Sequence, residues 1–83
     1  MKLTPKQIAA LKFMQDNHIH RARWLPEGDP RNATHMEIAS SHKRKRIHRD
    51  DLDALRPFYN MGPFRMFVPN EAGLSVIAQE DGR

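Results

Sequence analysis

The sequence predicts a single α+β domain whose elements follow the order helix, strand, helix, helix, strand, strand, helix. Three observations lead to this prediction. The chain of 83 residues suffices for one hydrophobic core. A capped helical pattern opens the chain, and strand-like alternation occurs on both sides of its middle. One domain covering residues 1–83 is therefore expected, and the small core leaves a homodimer open as a further source of stability.

The first helix is predicted at about residues 4–17. Thr4 can cap it, Pro5 suits its first turn, and Gln7 stands where a capping box has its second partner. Apolar side chains then recur at helical spacing, at Ile8, Leu11 and Met14. This helix is expected to bury one face in the core.

A short strand is predicted at residues 18–25, where the pattern changes to period two. Arg21 and Arg23 fall on one side of this segment and Trp24 on the other. An extension of the basic surface and an ordinary exposed strand face are both open interpretations of the two arginines. The following residues, 26–32, are dense in turn formers and predict an exposed loop.

Two further helices are predicted at about residues 35–42 and 45–56. The first begins with the capping-box pattern of Thr34 and Glu37. The second is expected to end before Pro57, because the residue before a proline avoids the helical region. The apolar positions of its predicted buried face are Ile47, Leu52 and Leu55.

The last third of the chain predicts a hairpin and a closing helix. Strand-like runs at 58–59 and 64–68 flank a turn at 60–63. Asn70 can cap the final helix, whose expected buried face comprises Leu74, Val76 and Ile77. Five aromatic residues are assigned to the core: Phe13, Trp24, Phe58, Phe64 and Phe67.

Two short motifs occur at particular places in the predicted order of elements. Glu37-Ile38-Ala39 opens the second predicted helix, and Gly62 to Val68 leads into Asn70-Glu71-Ala72-Gly73. With them, the order of elements resembles the winged helix-turn-helix superfamily across nearly the whole chain. The resemblance implies that the third helix enters the major groove and that the hairpin serves as a wing. Gly62-Pro63-Phe64-Arg65 and Gly73-Leu74 give a second likeness, to small winged-helix bacterial toxins that inhibit topoisomerase.

Positive charge is concentrated in the first half of the sequence. The formal net charge is +4 and the isoelectric point is about 10.0. Residues 1–49 carry eleven Lys and Arg against four Asp and Glu, whereas residues 50–83 carry three against six. A basic domain with one concentrated run suggests a polyanionic partner, and nucleic acid is the commonest one.

The residues expected to bind DNA are the basic run at the start of the third predicted helix and polar residues of the wing. The run would pair phosphates, and an arginine can read guanine because its guanidinium donates two hydrogen bonds at once. The full set is Lys43, Arg44, Lys45, Arg46, His48, Arg49, Asn60 and Arg65. A solvated charged turn is the alternative interpretation of the run. Asp50, Asp51 and Asp53 follow it, and Asp53 at least is expected to point away from DNA.

These patterns favour a small DNA-binding protein, a transcriptional regulator of phage or bacterial origin that acts on double-stranded DNA in the cytoplasm. The alternative is a winged-helix protein-binding module, such as an inhibitor that docks on a DNA-processing or defence enzyme, with an acidic protein as its partner. RNA binding is a third interpretation.

Other classes of function find little support in the sequence. There is no cysteine, which excludes thiolate zinc sites and cysteine nucleophiles. The five histidines have no paired cysteine or nearby carboxylate to complete a metal site, so no metal is expected. The chain has no glycine-rich phosphate loop and no nucleophile beside a base, so neither an enzyme nor a cofactor is expected. No apolar run is long enough to cross a membrane, so no membrane partner is expected either.

Overall fold

The hydrophobic core lies between the helices and one face of a three-stranded antiparallel sheet. The computed structural model describes residues 2–81; residues 1, 82 and 83 of the predicted domain lie outside the described part. The elements are α1 (Pro5–Asp16), β1 (Arg21–Leu25), β2 (His35–Ala39), β3 (Arg44–His48), α2 (Arg49–Leu55), a 3₁₀ turn (Arg56–Phe58), β4 (Tyr59–Asn60), β5 (Val68–Pro69) and α3 (Glu71–Asp81). The larger sheet has the order β1-β2-β3, and β4 pairs with β5 in a second sheet.

The start of α1 has the predicted capping box. The Thr4 amide donates to Gln7 Oε1 at 3.0 Å, and the Gln7 amide donates to Thr4 Oγ1 at 3.2 Å. Two backbone donors that an uncapped helix would leave unpaired are thereby satisfied. Leu11 and Met14 are fully buried and Ile8 is partly buried against the core, so this element is confirmed in position and in most of the face that it buries.

The predicted order of elements, and with it the winged helix-turn-helix fold, is wrong. Residues 35–39 form strand β2 instead of a helix, and the predicted helix at 45–56 divides into strand β3 and helix α2. Within residues 2–81 there are three α-helices, not four. The capping-box pattern led to a wrong prediction because Met36 and Ile38 also fit the period-two pattern of a strand. In β2 these two side chains meet Trp24 and Ala22 of β1 across the ladder.

The last third of the chain has the predicted strand pair and closing helix, but the predicted strand at 64–68 is wrong in extent, because the second strand is only Val68–Pro69 and residues 64–67 lie in the loop. β4 and β5 pair antiparallel, with Asn60 opposite Val68, and a seven-residue loop, 61–67, joins them. Asn70 Oδ1 accepts the Gly73 amide at 3.0 Å and so caps α3. Ile77 of α3 is buried, but the predicted core position at Leu74 is wrong, because that side chain is 44% exposed.

The aromatic residues are not all in the core. Phe67 is buried at 4% exposure, and Phe13, Trp24 and Phe58 pack against the buried cluster while remaining partly accessible. Phe64 contradicts the prediction, because it is 88% exposed on the loop between β4 and β5.

Candidate nucleic-acid interface

The alternation of side chains along β1 and β3 places four arginines on the sheet face that the helices leave uncovered. Across the three strands, Arg21 aligns with Ala39 and Arg44 in one row, while Arg23 aligns with Glu37 and Arg46 in the next. These four arginine side chains on β1 and β3 are all exposed. We call this surface the arginine face; it consists of Arg21, Arg23, Arg44 and Arg46 around a central Glu37.

Standard sheet geometry gives the arginine face its dimensions. Side chains two residues apart on one strand are separated by roughly 6.7 Å, and the outer strands of a three-stranded sheet lie roughly 9.6 Å apart. The four arginines therefore stand near the corners of a rectangle. Such spacing suits several phosphates held together better than it suits a single small anion.

Glu37 lies at the centre of the arginine face and is paired with two of its arginines. Its Oε1 is 3.0 Å from an Arg23 guanidinium nitrogen, and its Oε2 is 3.4 Å from Arg46 Nε. Burial of the carboxylate alone would raise its pKa, but the charge and hydrogen bond of Arg23, with Arg46 and Arg44, lower the pKa below its ordinary value. Glu37 is therefore ionised at neutral pH and neutralises part of the surrounding charge.

The positive charge is unevenly available across the face. Arg23 also pairs with Glu27 on the loop after β1, so it shares its charge between two carboxylates. In contrast, no carboxylate among the described side chains lies within 4.0 Å of a nitrogen of Arg21 or Arg44. The row that contains Arg21 and Arg44 is thus the more available for an external anion.

The predicted basic run is divided between the two faces of the sheet. Arg44 and Arg46 point to the arginine face, while Lys45 lies opposite Ile38 on the other face and is half-buried. Lys43 is exposed in the turn after β2, where its amide donates to Ser40 Oγ at 3.1 Å. At the start of a helix these side chains would lie close together, whereas successive side chains of a strand point to opposite faces of the sheet.

The other predicted site residues make structural contacts. His48 ends β3 on the same side as Arg46, but its Nδ1 accepts the Asp50 amide at 3.1 Å and so caps α2. The Arg49 guanidinium lies 4.6 Å from the centre of the Trp24 ring and donates to the Pro30 carbonyl at 3.0 Å.

The two predicted wing residues lie away from the strands of the arginine face. Asn60 is exposed on β4. The Arg65 guanidinium donates to the carbonyls of Met14, Gln15 and Asn17 at the end of α1. Arg65 therefore joins the β4–β5 loop to the first helix, which is a role that the sequence did not suggest.

The three aspartates also lie off the arginine face, on α2. Asp50 and Asp53 are exposed, and Asp53 is 3.9 Å from the Arg56 guanidinium. Asp51 accepts a hydrogen bond from Gln7 Nε2 at 3.0 Å, which joins α2 to α1. None of the three stands on a strand of the sheet, so they do not cancel the charge of Arg21 and Arg44 directly.

Sequence reasoning found only part of this surface. It placed Arg21 and Arg23 on one side of a strand, which is confirmed. It assigned Glu37 to a helix cap and so missed its central position between Arg23 and Arg46. The period-two pattern around Glu37, with Met36 and Ile38 on either side, was the available signal.

The fold and the site together define an α+β protein with an arginine-lined, open sheet face. Comparison with protein-family models, curated proteins and solved structures found no match for the chain, so neither the winged-helix resemblance nor the toxin likeness gains support. Among residues 2–81, no helix is long and apolar enough to span a membrane. No group of three or more histidine or acidic residues in that part of the chain is arranged to hold a metal.

Proposed function

We propose that this protein binds double-stranded DNA, with the arginine face against the phosphate backbone. The observation that carries the proposal is the convergence of Arg21, Arg23, Arg44 and Arg46 on one exposed surface. Guanidinium groups donate charge-assisted hydrogen bonds to phosphate oxygens and suit them geometrically.

A duplex fits the arginine face better than a single strand does. Proteins that bind single strands stack the bases on aromatic side chains. On the outer side of the three strands the only rings are those of His35 and His48, which pack edge-to-face against each other at 5.1 Å. Trp24 lies on the opposite side, against the core. The strands of the face therefore offer charge without a platform for a run of unpaired bases, and the exposed Phe64 ring on the β4–β5 loop is a single ring.

The same surface favours DNA over double-stranded RNA. RNA duplexes are recognised largely through their 2′-hydroxyl groups across a wide, shallow minor groove. Apart from the arginines, the outer side of the strands carries Leu25, His35, Glu37, Ala39 and His48. None of these is a hydroxyl or amide side chain, and Glu37 is already paired with two arginines. A DNA-binding regulator in the cytoplasm, without enzymatic activity, is the corresponding biological proposal.

The test compares two double variants that each remove two charges from one run of four residues. Arg44→Ala with Arg46→Ala takes both charges from the arginine face, whereas Lys43→Ala with Lys45→Ala takes none from it. Binding of a labelled duplex of random sequence is measured by fluorescence anisotropy at 50 and 200 mM salt. We expect the arginine variant to lose about tenfold in affinity at 50 mM salt and to lower the salt slope by about 2, since each lost phosphate contact lowers it by about 1.

The lysine variant should retain most of its affinity, and thermal unfolding should show that both variants are folded. Absence of duplex binding by the unmodified protein at 50 mM salt would overturn the proposal and leave an acidic protein as the partner to be sought. Equal losses in the two variants would also contradict it. Tighter binding to an RNA duplex of the same length would identify double-stranded RNA, and not DNA, as the ligand.

A further inference from the structure

The loop between β4 and β5 presents an apolar tip that the core does not use. Phe64 is 88% exposed and Met61 is 55% exposed, with Pro63 exposed between them. Apolar side chains of this size are ordinarily buried, because burial stabilises a fold by roughly 25 cal/mol per Å² of apolar surface removed from water. We call residues 61–64 the apolar tip.

The backbone on both sides of Phe64 is held firmly. The Gly62 amide donates to the Arg65 carbonyl at 3.0 Å, and the Met66 amide donates to the Ile19 carbonyl at 2.7 Å. The carbonyl of Phe64 itself is 3.0 Å from His18 Nε2. The Phe64 ring is therefore presented by a fixed backbone.

Two anchors follow Phe64 in sequence, the half-buried Arg65 and the buried Phe67. The Arg65 guanidinium is bound to the last carbonyls of α1, as described above. Phe67 is buried at 4% exposure with φ at 53°, a conformation that a residue with a bulky side chain adopts only where its surroundings enforce it. Its ring centre lies 5.1 Å from that of Tyr59.

The apolar tip adjoins the arginine face. Met66 pairs with Ile19 just before β1, and it lines one cleft together with Arg21, Arg23 and Arg44. Two residues of chain span at most about 7 Å, so the Phe64 backbone lies within that distance of Met66. A duplex that is held by the arginines therefore passes close to the tip.

We infer that Phe64 inserts as a wedge between two base pairs of the bound DNA, with Pro63 beside it. The inference rests on the proposed function. Rigid apolar side chains of these types unstack a base step from the minor groove and kink the duplex toward the major groove. The Phe64 ring fits this role because it is fixed next to a surface that can bind phosphates. Phosphate contacts would hold the DNA backbone on both sides of the unstacked base step.

The test measures DNA bending separately from DNA binding. A duplex with a donor and an acceptor dye at its ends and 2-aminopurine beside a central TA step is titrated with the unmodified protein, with Phe64→Ala and with Phe64→Leu. We expect the unmodified protein to raise energy transfer and 2-aminopurine fluorescence. Phe64→Ala should lose both signals. Its affinity should fall about five- to tenfold, as expected for the loss of one base–aromatic contact. The salt dependence of its binding should be unchanged, because no phosphate contact is removed. Phe64→Leu should restore part of the bend.

The control is Leu74→Ala, which removes another exposed apolar side chain, on α3. It should bend DNA as the unmodified protein does. If Phe64→Ala binds and bends DNA normally, the wedge is excluded while the arginine face remains the binding surface. If the unmodified protein binds no duplex, the proposed function fails and this inference fails with it.

Discussion

At Glu37, one carboxylate sets how much of the charge on the arginine face is available to a ligand. It pairs with Arg23 and Arg46 and leaves Arg21 and Arg44 without a carboxylate partner among the described side chains. The pairing also fixes the directions of the two guanidinium groups. Glu37 therefore has opposite effects, because it orders the surface and at the same time weakens its attraction for an anion.

Replacing Glu37 by glutamine tests which effect dominates. The amide keeps the shape of the side chain but removes a negative charge from the centre of the face. One unit of charge near a protein surface contributes on the order of 1 kcal/mol, so we expect about fivefold tighter duplex binding at 50 mM salt in an anisotropy titration. Glu80→Gln, an exposed change on α3, is the matched control for net charge. Weaker binding by the Glu37→Gln variant would mean that ordering of the arginines matters more than their net charge.

At the scale of elements, α3 is fixed by a close approach to the 3₁₀ turn. A Cβ atom added at Gly73 would lie 2.2 Å from the Phe58 carbonyl oxygen. The same region is joined by the Asn70 side chain, which donates to the Pro57 carbonyl at 2.9 Å. Only glycine allows the helix and the turn to approach so closely.

Gly73→Ala should therefore destabilise the protein even though alanine favours helices. Overpacking of this kind costs about 1–3 kcal/mol, which corresponds to roughly 4–24 °C in the unfolding midpoint of a chain of this size. Thermal unfolding followed by circular dichroism measures the shift. Ser75→Ala, an exposed change in the same helix, should leave the midpoint within a few degrees. A midpoint unchanged by Gly73→Ala would contradict the packing of α3 on the turn.

Elements with strong local signals could be predicted from the sequence, and elements determined by distant partners could not. The capping box of Thr4 and the cap at Asn70 gave α1 and α3 correctly. Residues 35–39 fit both a short helix and a strand, and the choice depends on pairing with β1, which is ten residues earlier in the chain. β3 has Ile47 as its only buried residue, so it carries almost no strand pattern of its own.

The candidate site was predicted in composition more than in geometry. Arg44 and Arg46 belong to the basic run that the sequence singled out, and Arg21 and Arg23 were placed on one strand face. Their convergence depends on the register of three strands, which no local pattern encodes. The exposure of Phe64 was missed for a similar reason, because hydrophobicity alone assigns such a residue to the core.

At the scale of the whole molecule, Glu37 also connects the charge of the arginine face to acid stability. Burial raises the pKa of Glu37, but the charge and hydrogen bond of Arg23, with Arg46 and Arg44, outweigh burial, so the pKa is lower in the folded protein than in the unfolded chain. The ionised form therefore stabilises the fold at pH values above the unfolded pKa, and this contribution is lost as the pH falls through the lowered folded value.

We expect the unmodified protein to be more stable than Glu37→Gln at pH 7, with the difference shrinking as the pH falls below about 4. Urea unfolding of both proteins at pH 7 and at about pH 3 measures this. A constant difference across that range would show that the Glu37 ion pairs do not contribute to stability. Asp16→Asn, at an exposed position in α1, controls for the general effect of removing a carboxylate.

The attachment of Arg65 to the end of α1 has a consequence for the way in which DNA sites would be distinguished. Since the loop is already ordered by the fold, the protein has little freedom to adapt its shape, and the duplex would have to supply the deformation. Preference among sequences would then follow the pliability of the double helix, with flexible pyrimidine–purine steps favoured over stiff A-tracts even at base pairs that no side chain reads.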